Sequence, residues 1–311
     1  MNPSEVSVIG ANPGISPSLH IWGWEIAAYL FLGGLVAGLL VISGLAHRKS
    51  ERPAESLAWR GPALVPVLLT VGMVSLFLDL EHKLHFYRFY LAFRITSPMS
   101  WGAWILLLVY PASILFALAA VGEFGPKLPG DWDLVTELAA AVRRPLAAVN
   151  VALGVALGIY TGILLSSLGA RPFWNTPLLG PLFLLSGLSG GAALLILLEP
   201  SREAQLRLGM LDVKLIGAES ATLALILIGL SSGGAAQRAA AQLVLGGSFT
   251  AVFWIAIVMM GLALPATIEL FHRFKRAQAS FYPAALVLLG GFALRMIILL
   301  AGQASRWGTL Q

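Results

Sequence analysis

Eight apolar runs, each long enough to cross the hydrocarbon core of a bilayer, take up most of this chain. They lie at about 22–46, 62–80, 99–121, 146–168, 176–199, 211–231, 247–270 and 281–302. Hydrocarbon offers no water to a stray peptide N–H or C=O, so a spanning segment must be a helix or part of a closed barrel. A spanning helix needs about 20 predominantly apolar residues, whereas a barrel strand is about half that length and alternates in polarity. These runs are long and do not alternate. They predict an all-α integral membrane protein with eight transmembrane helices. Charged residues make up 11 % of the chain, against about 25 % in ordinary soluble proteins.

Residues 1–21 read as a short polar tail, since they lack the basic start and apolar core of a signal peptide. Residues 22–302 form the membrane domain, and 303–311 a second short tail. Basic residues crowd the loops after the odd-numbered spans (Arg48, Lys49, Arg52, Arg60, Arg143, Arg144) and thin out on the other side. The positive-inside rule then places both termini outside the cytoplasm, in a multi-pass protein of the cell inner membrane. The formal charge of +5 reflects those loops. No Lys/Arg stretch interleaved with aromatics invites a nucleic acid; membrane lipids are the expected surroundings. With no cysteine, the chain has no disulfide, no thiolate-held iron–sulfur cluster and no thioether haem attachment. His47 and His272 fall at inner span ends, and His20, His82 and His85 at outer ends. Two stacked haems crossing the membrane need histidine pairs facing each other within spans. One haem at the outer interface is conceivable, two are not, and no metal or haem is expected in this chain.

Unusual polar residues gather at the outer span ends: His20, Glu25, Asp79, His82, His85, the run Ser97-Pro98-Met99-Ser100-Trp101, and Arg171. Asp79 and His82 are three apart and Glu81 and His85 four apart, spacings that share a helix face. A carboxylate beside an imidazole suits proton exchange near neutral pH; solvation by water and headgroups is the competing reading. Glu25 lies about one turn into the first span, below Trp22 and Trp24, with His20 just outside. The two are placed to hydrogen-bond a quinone carbonyl or take a quinol proton. From Lys83 to Arg94, Phe86, Phe89, Tyr90 and Phe93 follow helical spacing and predict an interfacial amphipathic helix, a roof over the site or an anchor. Glu219 and Arg295 sit near mid-depth, where each charge costs about 2.5–3.5 kcal/mol. They predict an ion pair or, alternatively, a proton path.

An internal echo aligns Gly33-Gly34-Leu35-Val36-Ala37-Gly38 with Ser186-Gly187-Leu188-Ser189-Gly190-Gly191, 153 residues later. Two readings stand. One is a parallel repeat of two four-helix units; the other is the small-residue pattern of any close helix crossing.

Three motifs in order are familiar: Trp22-Gly-Trp-Glu25 leading into Tyr29-Leu-Phe-Leu-Gly-Gly34, Ser97-Pro-Met-Ser-Trp-Gly102, and Ala170-Arg-Pro-Phe-Trp-Asn175. With them the protein, from about Trp22 into the last span, resembles the NrfD/PsrC family, the membrane subunits of polysulfide-reductase-like complexes. The resemblance implies a quinone-binding subunit free of metal cofactors, built as two four-helix bundles, with menaquinone or ubiquinone as bound substrate. It implies a ferredoxin-like iron–sulfur subunit docked on the outer face and a molybdopterin-type or other catalytic subunit beyond it. It places the quinone site at that face near the start of span one, matched by His20 and Glu25, with a span-four tyrosine nearby, matched by position with Tyr160. Glu25, Asp79 and His82 are then the acid–base residues, with Trp101, Phe173 and Trp174 as aromatic-belt, ring-packing or partner-facing residues. A secondary transporter, a proton-translocating subunit and a passive membrane anchor are the competing readings.

Overall fold

The computed structural model describes residues 22–80, 82–85, 87–91, 93–126, 141–275 and 281–305. Among these residues there is no strand. Eight helices are long and apolar enough to span: α1 (Trp24–Lys49), α2 (Ser56–Asp79), α3 (Pro98–Phe124), α4 (Arg143–Ser166), α5 (Leu179–Leu198), α6 (Arg202–Ser232), α7 (Thr250–His272) and α8 (Tyr282–Ala304). The protein is a multi-pass membrane protein. Each expected span coincides with one helix, but several helices run past the apolar window. The largest extension is in α6, which begins at Arg202, nine residues ahead of its apolar run. Backbone hydrogen bonds continue a helix through charged residues once they leave the hydrocarbon, so hydropathy marks the buried length and not the helix length.

The helices form two rings of four. In the first, α1 packs on α2 and α4, and α3 closes the ring between them; in the second, α5 packs on α6 and α8, and α7 closes it. The rings join where α1 meets α5 and α8, and where α4 meets α5. α1 is the central member, with 83 % of its apolar window buried against 28 % for α6 and α7.

Glycine sets the seam. A Cβ on Gly38 would overlap the Gly187 carbonyl and come within 3.0 Å of Gly191 Cα, and one on Gly187 would lie 2.6 Å from the Gly34 carbonyl. Without a hydrophobic drive between helices in lipid, such close approach supplies the packing and weak Cα–H···O contacts that hold them together. The partners in contact, Gly34 with Gly187 and Gly38 with Gly191, are those that the 153-residue offset aligns.

Several helices carry local irregularities with visible causes. α2 opens with a π-helical turn, Ser56–Arg60, whose first N–H is taken by Glu199 Oε2 at 2.8 Å. α7 is π-helical from Phe253 to Ala263, and the stretch ends just before Pro265, which has no N–H to return to the preceding turn. There Gly261 meets Gly290 of α8 so closely that neither tolerates a Cβ.

Polar latches close both faces. On the face away from Trp22, His47 Nε2 lies 3.1 and 3.0 Å from the carbonyls of Leu57 and Ala58. Facing two acceptors, that nitrogen must carry the hydrogen, so Nδ1 accepts from Arg143 at 3.4 Å. Both ring nitrogens are engaged, and Arg143 also pairs with Glu123 at 3.1 Å. On the opposite face, Gln303 grips the Trp22 backbone through Oε1 (3.0 Å) and Nε2 (2.9 Å). Arg171 donates to the carbonyls of Gln303 and Ser305 at 2.8 and 3.0 Å, a cation placed on the negative end of α8. The start of α1 and the end of α8 are therefore fixed together on one face.

Trp174 completes this latch. Its indole donates to the Ile298 carbonyl at 2.8 Å, and its ring stacks on Trp22 with centroids 5.7 Å apart. Trp174 is 2 % exposed and Phe173 5 %. Both side chains are packed in the core. The indole occupies the space a Cβ at Gly302 would need. Gly302→Ala is expected to cost about 1–3 kcal/mol through overpacking, read as a lower thermal unfolding midpoint in detergent.

Candidate functional site

Tyr29 and Tyr160 are buried side chains in apolar spans, and a buried phenol hydroxyl requires a partner. They satisfy each other: the Tyr29 and Tyr160 hydroxyl oxygens are 3.2 Å apart, joining α1 to α4. One hydroxyl donates and the other accepts, which leaves the second O–H free to turn to a ligand. Among the described residues neither hydroxyl has another hydrogen-bond partner. At five and six residues from the ends of their helices, the two rings lie about 8–9 Å below the face that carries Trp22.

Two glycines, one of them from a motif, make room around this pair. A Cβ on Gly102, the last residue of the Ser97–Gly102 motif in α3, would overlap the Tyr160 ring and hydroxyl. Gly72 of α2 lies against Tyr29 and Leu32, 4.0 Å from Tyr29 Cδ2 for an added Cβ. Tyr90, half-buried in the short helix Arg88–Leu91, lies within electrostatic reach of both tyrosines. Burial pushes the Tyr90 hydroxyl above its ordinary value, with Tyr110 adding to the shift. Tyr90 therefore stays protonated at physiological pH and remains a donor.

The carboxylates sit nearer the surface. Glu25, in the first turn of α1, is one turn from Tyr29 on the same helix side, and its side chain folds back over the space beside Gly23. Asp79 ends α2 and is an electrostatic neighbour of Glu25. Two neighbouring carboxylates and, deeper in, a phenol pair with a third phenol in reach thus lie on the Trp22 side of the first ring. Chemically, this set offers donors to a carbonyl oxygen and acceptors for protons.

Other expected residues fall differently. α2 stops at Asp79, and Leu80 turns extended (φ −69°, ψ 123°), so Asp79 and His82 do not share a helix face. His82 and His85 lie in and beside a 3-10 turn (Lys83–His85), exposed, with ring centroids 6.1 Å apart. The expected amphipathic helix from Lys83 to Arg94 is instead this turn followed by the four-residue helix. Leu84 is 85 % exposed and Leu91 78 %, surface that suits the interface with lipid. Phe86 and Glu81 lie outside the described residues, as does His20. Trp101 is partly exposed and donates to the Ile95 carbonyl at 2.6 Å. Glu219 and Arg295 do come to one place, but through Ser186: Arg295 donates to the Ser186 hydroxyl, which is also the hydrogen-bond partner of Glu219.

Tyr29, Tyr90 and Gly102 were not singled out by sequence reasoning as site residues. A signal existed for Tyr29, whose hydroxyl lies inside an apolar run one turn from Glu25. None existed for its pairing with Tyr160, 131 residues away. Among the described residues no three His, Asp or Glu side chains converge as a metal site would need.

The family model described as "Polysulphide reductase, NrfD" matches residues 12–305. The protein is 34 % identical to the C subunit of polysulfide reductase from Wolinella succinogenes over 306 residues, covering 91 % of this sequence and 94 % of that one. It is 32 % identical to protein NrfD of Escherichia coli (91 % and 95 % covered) and 30 % to the NrfD homolog of Haemophilus influenzae (94 % and 97 %). On a match along nearly its whole length, the protein belongs to the NrfD family of polysulphide reductase membrane proteins.

Proposed function

We propose that this protein is the quinone-binding membrane subunit of a multisubunit respiratory oxidoreductase. It exchanges electrons between menaquinone or ubiquinone and an iron–sulfur partner, with proton exchange at the outer side. The single observation that carries this reading is the Tyr29–Tyr160 hydroxyl pair below Glu25 and Asp79. A quinone presents two carbonyl oxygens, which only accept hydrogen bonds; the phenols supply what they need. A quinol presents two hydroxyls that must lose protons on oxidation, and the carboxylates supply acceptors. The membrane setting and family membership agree, and one relative is named as a single component of a larger reductase.

In this mechanism the tyrosine hydroxyls orient the quinone head group, with Tyr90 as a third donor from the surface side. Oxidation of a quinol releases two electrons and two protons. Glu25 and Asp79 take the protons, and His82 and His20 pass them to the aqueous phase. The electrons leave to a ferredoxin-like iron–sulfur subunit docked on the same face, and a molybdopterin-type or other catalytic subunit lies beyond it. The basic loops on the opposite face make the site side extracytoplasmic by the positive-inside rule. Reversed flow uses the same groups in the opposite order.

The test is purification of the assembled complex with its extractable quinone, followed by quinol-dependent reduction of the partner's clusters. Glu25→Gln combined with Asp79→Asn is expected to lower that reduction about 100-fold, the lower end of what positioned acid–base groups contribute, while the complex still assembles. Unchanged turnover in the double variant sinks the proton assignment. A complex without quinone and without quinol activity sinks the function.

A further inference from the structure

Polar side chains of the second ring are shut off from lipid. Asp212, Glu219, Glu269, Ser186, Ser189 and Arg295 are all buried. Ser189 donates to Asp212 Oδ1, Arg295 donates to Ser186, and an added Cβ on Gly34 of α1 would lie 2.8 Å from Arg295 Nη2. In the first ring one polar pair faces the other way. Thr70 of α2 is exposed, and Tyr110 of α3, partly buried, donates to Thr70 Oγ1 at 3.2 Å. Thr70 in turn donates to the Pro66 carbonyl at 2.7 Å. Among the described residues the Tyr110 oxygen receives no hydrogen bond, which leaves its acceptor positions open to a ligand.

Depth makes this pair unusual. Asp79 ends α2 and Pro98 begins α3 on the Trp22 side. At 1.5 Å per residue, Thr70 lies about 14 Å along α2 from Asp79 and Tyr110 about 18 Å along α3 from Pro98. Both are near the middle of a hydrocarbon core of about 30 Å. A threonine that bonds back to its own helix is ordinary there. A phenol at a lipid-facing seam is not, since tyrosine gathers at the two interfaces. Both walls of the seam are also weakened at this level. Pro66 and Pro111 lie inside α2 and α3, and each withholds the N–H that the carbonyl four residues back would receive. The other walls of the ring, α1 and α4, have no proline beyond the first turn. The phenols continue inward: Tyr110 is an electrostatic neighbour of Tyr90, and Tyr90 of Tyr29 and Tyr160.

We propose that the seam between α2 and α3 at Thr70 and Tyr110 is the lateral port through which the quinone head group passes between the bilayer and the tyrosine site. The port rests on the quinone reading above and adds to it a place of entry. A quinol arriving from lipid donates a hydrogen bond to the Tyr110 oxygen. A quinone leaving the site accepts one from Tyr110, whose O–H turns away from Thr70 to give it. Thr70 loses little by this, because its own hydrogen stays on the Pro66 carbonyl. The head group therefore exchanges one hydroxyl partner for the next, from Tyr110 to Tyr90 to the Tyr29–Tyr160 pair, and crosses no wholly apolar gap. Its apolar tail trails in the bilayer past Val74 and Leu107, both exposed on the outside of the ring.

The protein has no cysteine, so a single introduced thiol can be labelled at a chosen place in it. Thr70→Cys and, as a control, Leu108→Cys are made in the assembled complex and treated with pyrene maleimide, alongside the parent. Leu108 is exposed on the same helix as Tyr110, two residues away and therefore on a different side. Labelling Thr70→Cys is expected to lower steady-state quinol oxidation about tenfold or more relative to the same unlabelled variant, since entry then limits turnover. Quinol bound before labelling should still reduce the partner's clusters once, at the unlabelled rate. Labelled Leu108→Cys should keep both rates. Tyr110→Phe, without label, is expected to lower kcat/KM about three- to tenfold, the worth of one hydrogen bond, and to leave the single turnover unchanged. Undiminished steady-state oxidation in labelled Thr70→Cys overturns the port. So does loss of the single turnover, because the label then damages the site and not the route, and so does an equal loss in labelled Leu108→Cys. A parent complex that oxidises no quinol overturns the quinone reading itself, and the port with it.

Discussion

Gly38→Val is expected to abolish recovery of folded protein from membranes, or to leave a species that unfolds far below the parent temperature. At this point α1 and α5 approach backbone to backbone, with Gly38 against the Gly187 carbonyl and Gly191 Cα. Overpacking usually costs about 1–3 kcal/mol because flexible side chains can shift. Here the obstructing atoms are main chain, so relief requires separating two central helices and the cost lies at or above the top of that range. Gly33 provides the control on the same helix. An added Cβ there meets nothing within 4 Å, and Gly33→Ala is expected to behave like the parent. If Gly38→Val and Gly33→Ala have the same yield and midpoint, the seam is not where the two rings are held together.

Tyr160→Phe is expected to lower quinol-dependent turnover of the assembled complex by roughly tenfold to a hundredfold while the complex still assembles. Removing one hydroxyl deletes the bond to Tyr29 and leaves that buried partner unsatisfied, a change worth about 1–3 kcal/mol, and each 1.36 kcal/mol on the barrier is about tenfold in rate. Tyr29→Phe should give a loss of the same order. The double variant should lose less than the product of the two, because residues in contact are not additive. Gly102→Ala tests the same pair indirectly. It leaves both hydroxyls in the sequence but takes the space of the Tyr160 ring, so it should resemble Tyr160→Phe. Normal turnover in all three would remove the tyrosines from the quinone site.

How far the sequence reveals this molecule depends on the range of the interaction concerned. Spanning helices are legible because their signal is local and repeated over about 20 residues. Positions where a helix stops are less so: Asp79 and His82 have helical spacing, yet Leu80 leaves the helix between them. Glu25 and Asp79 are visible because a charge beside an apolar run is rare, and the structure makes them neighbours. Asp212 and Glu269 carry the same charge and escape notice, since each falls at the edge of an apolar window and reads as interfacial. Only the longer helix that starts at Arg202 shows that Asp212 lies three turns inside. Ser186 and Ser189 are hidden differently. In sequence they are small residues of a crossing motif, and their hydroxyls acquire meaning from α6 and α8, which no local pattern contains.

α1 is one uninterrupted helix of 26 residues, and it is a wall of both rings. Tyr29 faces the first; Gly34, a turn and a half along, touches the guanidinium of the second. A rod of this kind transmits displacement along its length. A head group wedged against the phenol at one position must be accommodated by tilt or rotation that the arginine at the other also experiences.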